Sequence, residues 1–111
     1  MPFDEELIVI VGHEPYLQAH ADVIRGFLAD LQAATKFYLA HPQEARQILI
    51  DNKFVRVPPD IYLNMEDYYR DPTLRIDLES LKRMQDTQIA AGFQKKKIDV
   101  ATVVDMSYLP K

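Results

Sequence analysis

Residues 7–11 read Leu7-Ile8-Val9-Ile10-Val11, and Gly12 follows them. The run is continuous, four of its five members are β-branched and a glycine closes it, a pattern that predicts a strand buried on both faces. A strand cannot stand alone, because its N–H and C=O groups need sheet neighbours. No second run of this kind occurs in the sequence. The stretch therefore predicts an α/β chain whose one strand must be paired by another copy of the chain or by polypeptide lying elsewhere.

Everything after it reads as helix. From Ala21 to Ala40, apolar side chains at Ile24, Phe27, Leu28, Leu31, Ala34, Tyr38 and Leu39 follow the i, i+3, i+4, i+7 progression of a helix with one buried face. Gly26, inside that span, predicts close packing against a neighbouring element. His41-Pro42 stops the helix and starts another, to about Asp51, with Ala45, Ile48 and Leu49 inward. After a connector, Pro58-Pro59-Asp60 opens a helix over 59–69 with an aromatic-rich stripe of Ile61, Tyr62, Met65, Tyr68 and Tyr69, ended by Asp71-Pro72. Asp77 is a suitable N-cap for a helix over 78–91, and Gly92 a suitable left-handed residue after it. Asp99 caps a last short helix with Val100, Val103 and Val104. The predicted fold class is a mainly helical α/β fragment, one short strand followed by about five helices, in a single partial domain over 1–111.

Composition limits what such a chain can do. With 111 residues, 13 Lys+Arg against 17 Asp+Glu and 48% apolar residues, it is one mildly acidic globular unit with too little chain to close two lobes around a ligand. A net charge of −4, with Lys95-Lys96-Lys97 as the only basic run, argues against nucleic acid as a partner. The absence of cysteine removes thiolate nucleophiles, disulfides and Cys-ligated metals. The start, Met1-Pro2-Phe3-Asp4-Glu5-Glu6, is acidic where a secretory signal is basic, and the apolar run after it is too short for a signal core or a membrane span. The chain as written is thus expected to lack an export signal, to be cytoplasmic if expressed alone and not to insert into a membrane.

Candidate chemistry is sparse. His13, His20 and His41 lack the i, i+4 spacing of a helical metal pair, and Pro15 interrupts a helix between the first two. They read as surface or capping residues, with no metal site. Glu66, Asp67 and Asp71, with Arg70 among them, read as a hydrated helix face. Tyr62, Tyr68 and Tyr69 read as core-edge or interface residues, and Lys95–Lys97 as a solvated turn. Neither Ser80 nor Ser107 has the partners of a nucleophile, and the three glycines are too far apart for a phosphate loop. The chain is predicted to be non-catalytic, with no cofactor.

The order of motifs adds a resemblance. The apolar run, Glu14-Pro15, Val23-Ile24-Arg25-Gly26-Phe27-Leu28 and Ala33 through Phe37-Tyr38-Leu39-Ala40-His41-Pro42-Gln43-Glu44-Ala45 resemble the C-terminal segment of ABC-transporter substrate-binding proteins of the nitrate/sulfonate/taurine (NMT1/THI5-like) family. The close is similar too: Gln88 to Lys96 around Gly92, then Ile98-Asp99-Val100, then Val104-Asp105-Met106-Ser107-Tyr108-Leu109-Pro110. The resemblance implies the C-terminal part of one lobe of a type II periplasmic-binding-protein fold, a periplasmic or extracytoplasmic setting, an ABC permease as partner, and a small-molecule solute only if the missing lobes are supplied. It places Phe3, Asp4 and Glu5 nearest the expected cleft and carries over no other binding residue. The function it implies is the solute-binding component, or a truncated fragment, of an importer for nitrate-, sulfonate-, taurine- or thiamine-precursor-like molecules.

Two alternatives stand beside it. One is a free-standing interaction domain that has lost ligand binding and dimerises through Leu7, Ile8, Val9, Ile10 and Val11. The other is a relative of the thiamine-pyrimidine synthases, whose Cys-rich motif has no counterpart here.

Overall fold

Five α-helices and one 3₁₀ helix make up the secondary structure in a computed structural model that describes residues 8–111. They are α1 (Glu14–Ala19), α2 (Ala21–Ala40), α3 (Pro42–Asp51), α4 (Pro59–Asn64), α5 (Leu78–Ala90) and the 3₁₀ turn Val100–Val103. Among the described residues there is no strand, which corrects the α/β expectation. Ile8, Val9, Ile10 and Val11 are 64%, 44%, 60% and 87% exposed, and no hydrogen bond joins them to another described residue. The physical reason is that strand propensity is realised only against a paired backbone, and the described residues offer them none. Leu7, and with it Phe3, Asp4 and Glu5, lies outside the described residues.

Local signals set most helix ends. α2 and α3 occupy the predicted spans, with Pro42 in the first turn of α3. The Asp77 side chain accepts from the N–H groups of Glu79 and Ser80, and Asp99 from that of Ala101. Gly92 has φ +80°, and the N–H groups of Gly92 and Phe93 bond back to Ile89 O and Gln88 O at 3.0 and 2.9 Å, a Schellman closure. Lys53 plays the same part after α3 with φ 61°, where an L side chain is strained.

Gly26, by contrast, has nothing within 4 Å of where a Cβ would stand, so the close packing expected there is not found. These positions predict opposite outcomes. Gly26→Ala stabilises by about 0.5–1 kcal/mol through helix propensity, whereas Gly92→Ala destabilises by about 1 kcal/mol because alanine must take a positive φ. Urea unfolding followed by circular dichroism at 222 nm measures both.

α1 is the element that sequence reading passed over. His13 is its N-cap, with Glu14 and Pro15 in the first turn, so Pro15 begins a helix where it was expected to break one. α4 departs in the other direction, ending at Asn64 rather than near Tyr69. Its carbonyls at Tyr62 and Leu63, and that of Met65 beyond, each accept from Arg46 Nη1 at 3.0 Å. An arginine from α3 thus caps α4, and the chain leaves in extended form at Met65 (ψ 145°).

Little of the molecule is closed over. Among the described residues five are buried: Ala45, Val100, Arg46, Ser80 and Gln85, three of them polar. The aromatic-rich stripe read on α4 and beyond is open, with Ile61 56% and Tyr69 82% exposed. The radius of gyration is 16.9 Å, against about 13 Å for a compact chain of this length. The accessible surface is 8721 Å², where a compact monomer of this mass exposes roughly 6300 Å². The helices form an open layer rather than a closed core.

Candidate functional site

The most elaborate polar constellation joins α2, α3 and the segment after α4. Arg46 is 6% exposed. Besides its three carbonyls, its Nε donates to the Tyr38 hydroxyl at 3.1 Å, and its guanidinium lies 3.6 Å from Asp67. The Tyr38 hydroxyl in turn donates to Asp67 Oδ2 at 2.5 Å, and Arg70 pairs with the same oxygen. Asp67 Oδ1 accepts from the Tyr68 N–H at 2.8 Å. The Arg70 guanidinium also covers the Tyr68 ring at 3.9 Å and the Tyr38 ring at 4.8 Å. Gln43 reaches Leu63 O at 2.8 Å.

The chemistry of this cluster is that of a clamp. No buried side-chain polar atom lacks a partner among the described residues, and both Asp67 oxygens are engaged from within the chain. The carboxylates expected to form a hydrated helix face are divided: Asp67 is drawn into the clamp, with its side chain 17% exposed. Asp71 makes an Asx turn through Thr73 N–H at 2.7 Å, and no helix passes through either residue.

Burial alone would raise the Asp67 pKa. The hydrogen bonds from Arg70, Tyr38 and the Tyr68 N–H, and the Arg70 charge, outweigh it and hold the carboxyl below the usual carboxylate range. Tyr38 is pushed up, by burial first and by its bond to Asp67 second. Asp77 is lowered by its bonds from Ser80, and Asp105 by its bonds from Ser107.

A folded-state pKa below the unfolded value of about 3.9 means that the unfolded chain binds more protons in the acid range. Stability is therefore full above about pH 4 and falls as pH drops through the lower folded values. The prediction is acid unfolding that begins below about pH 4, with a shallower pH slope in Asp67→Asn. Urea midpoints measured between neutrality and strong acid check it; equal slopes in the two proteins would contradict the assignment.

The remaining candidates are dispersed. His20 stacks on Tyr16 with ring centroids 4.3 Å apart, and His41 on Phe37 at 5.2 Å, each four residues on along the chain. Among the described residues no group of three His, Asp or Glu side chains is placed to hold a metal ion. Ser80 is 2% exposed; its hydroxyl donates to Asp77 Oδ2 and accepts from Arg83, so it completes a helix cap and cannot meet a substrate. Lys97 pairs with Asp86 at 2.7 Å. The groove at the α1–α2 junction is lined by Gln18, Ala19, His20, Ala21, Asp22 and Val23. No described helix is long and apolar enough to cross a membrane.

No family model matches this chain, nor does any curated protein or solved structure.

Two further clamps repeat the logic of Arg46. Gln85, 5% exposed, donates to Ile98 O at 2.9 Å and accepts from Ile98 N–H at 2.8 Å and from Gln94 at 2.8 Å. It fastens the loop after α5 to the helix. Arg25 donates to Ser107 O at 2.8 Å and lies 5.0 Å from the Tyr108 ring centre, fastening the C-terminal segment to α2. Sequence reading missed all three, because their carbonyl partners lie 13 to 82 positions away.

The sites with most unused capacity are apolar. Val23 (64%), Phe27 (51%) and Phe37 (39%) stand open on α2, while Ile24, Leu28, Leu31 and Tyr38 are half-buried. α2 therefore carries two stripes at helical spacing instead of the single buried face expected, and only one of them is covered.

Proposed function

We propose that this chain belongs to a solute-binding component of an ABC-type importer, as a helical flank that docks on a solute-holding body and performs no chemistry itself. The observation that carries the reading is the uncovered surface: about 2400 Å² more than a compact monomer of this mass exposes, rich in Val, Ile, Phe and Tyr side chains. A free enzyme or a self-sufficient small domain has no use for such a layer. The resemblance of the motif order to the nitrate/sulfonate/taurine-binding family supports it, and α2, α3, the Gly92 closure and the Asp99 cap occupy the spans that carry that resemblance.

The test is the DNA surrounding the coding sequence. The reading expects sequence for a sheet-bearing solute-binding body in frame or adjacent, with a permease gene nearby; a neighbourhood containing neither overturns it. In direct titration by calorimetry, taurine, nitrate and short alkanesulfonates are expected to give no heat of binding with this chain alone. Micromolar binding of any of them would show that the chain holds the solute itself, against the reading.

The second reading, an interaction domain that associates with itself, is favoured by the same surface.

A further inference from the structure

The uncovered stripe on α2 runs Val23, Phe27, Asp30, Ala34, Phe37, a 4-3-4-3 spacing that forms one seam along the helix. Its only charge is Asp30, with Asp22 at the near end. The basic groups of α2 are occupied elsewhere: Arg25 holds the C-terminal segment and Lys36 bonds Gln32 at 3.0 Å. The seam is thus apolar and acidic. Two such seams pair poorly with each other, since an antiparallel crossing would set Asp30 against Asp30.

A complementary feature stands on the same chain. Phe93 follows Gly92 in the Schellman turn, where an apolar residue ordinarily folds back on the helix; here it is 87% exposed. The turn is rigid. Gln94 is fixed on Gln85 and on Lys96 O at 2.8 and 2.7 Å, and Gln85 on Ile98. Lys95 and Lys96 flank it, and both side chains are exposed. A preorganised aromatic knob with two ammonium groups is the chemical counterpart of an apolar seam with two carboxylates. Phe54, in the corresponding turn after α3, is also exposed, but its turn is held by a single local side-chain bond, Asn52 to Ile48 O at 2.8 Å, and the carboxylate of Asp51 stands among its cations Lys53 and Arg56.

We propose that this chain self-associates head to tail, the Phe93 ring and the Lys95 and Lys96 ammonium groups of one copy seating on the Val23–Phe27–Phe37 seam of α2 in a second copy, beside Asp22 and Asp30. The open surface is ample: a stable interface needs roughly 800 Å² per partner, about a third of the excess the chain exposes. An anionic bilayer is the other surface a Phe-Lys knob could meet. The net charge of −4 opposes it, and it leaves the α2 seam uncovered. The inference goes beyond the solute-binding reading and does not depend on it, since it concerns what the intact chain does with its own surface.

The experiment is light scattering after size exclusion on the 111-residue chain, from about 1 to about 200 μM, with Phe93→Ala and Asp30→Lys variants, each checked for unchanged helix content. The wild-type mass is expected to rise above 12.9 kDa with concentration, and more steeply at low salt. Each variant is expected to weaken association by about tenfold or more. Mixed together they should form a heterodimer, because Phe93→Ala retains an intact seam and Asp30→Lys an intact knob. A single-chain mass throughout, unaltered association in both variants or failure of the mixture to complement overturns the proposal. So does sensitivity to Ile10→Lys in place of Phe93→Ala, which would locate the contact in the 8–11 segment. Phe93-dependent binding to phosphatidylserine vesicles by a chain that stays monomeric would assign the knob to a membrane instead. None of these outcomes bears on the gene neighbourhood, so the two proposals fail separately.

Discussion

Arg46→Ala is expected to lower the midpoint of thermal unfolding by on the order of 10 °C, the largest effect of any single substitution in this chain. The side chain is 6% exposed, and its loss strips partners from the carbonyls of Tyr62, Leu63 and Met65 and from the Tyr38 hydroxyl at once. Asp67 would keep Arg70 but lose the second cation beside it. Arg46→Lys should recover less than half of the loss, because an ammonium group cannot reproduce a planar fork that serves a hydroxyl on one edge and three carbonyls on another. Thermal unfolding followed at 222 nm checks both, and a shift in Arg46→Ala of only a degree or two would refute the clamp. Limited proteolysis gives a second readout: cleavage should move into the segment between α4 and α5, which Arg46 no longer holds.

Gln85→Leu comes next, at about 2–3 kcal/mol. Leucine fills similar space but leaves Ile98 without its donor and its acceptor, and takes from the Gln94 amide one of its two acceptors, leaving only Lys96 O. Amide exchange at residues 93–99 should quicken while that in α2 stays as it was. If the loop stayed protected, the 3₁₀ turn and the buried Val100 beneath it would be holding it instead. The same substitution should loosen the presentation of Phe93 and weaken self-association more than its effect on global stability would suggest.

Both predictions follow from one circumstance: in this chain, side chains that bond to distant backbone do what an apolar core does elsewhere. The sequence shows clearly what is local. The ends of α2 and α3, the Asp77 and Asp99 caps and the left-handed Gly92 were readable because each depends on residues within one helical turn. α1 was missed although its signal is local: His13, Glu14 and Pro15 start a helix once the proline is taken as a first-turn residue.

What depended on distance was not legible. Arg46 and Gln85 look like ordinary solvent-facing helix residues, and only the fold brings carbonyls to them. Residues 8–11 departed from the expected strand for the complementary reason. Their composition has strand propensity, but a strand is a property of two backbones, and the described residues place no second one beside them. The two stripes of α2 also merge in the sequence into one broad apolar face, because Phe27 and Leu28 are neighbours; separating them needs to know which side packs.

The central claim is that the isolated chain is an open helical layer, held by polar clamps, with its apolar faces uncovered. Small-angle X-ray scattering on the Phe93→Ala chain, at concentrations where light scattering gives a single-chain mass, tests it most directly. The account predicts a single-chain forward intensity with a radius of gyration near 16.9 Å and a longest principal extent of 45 Å. A value near 13 Å, that of a closed domain of this length, would mean that the helices fold over their own apolar faces, and would contradict it.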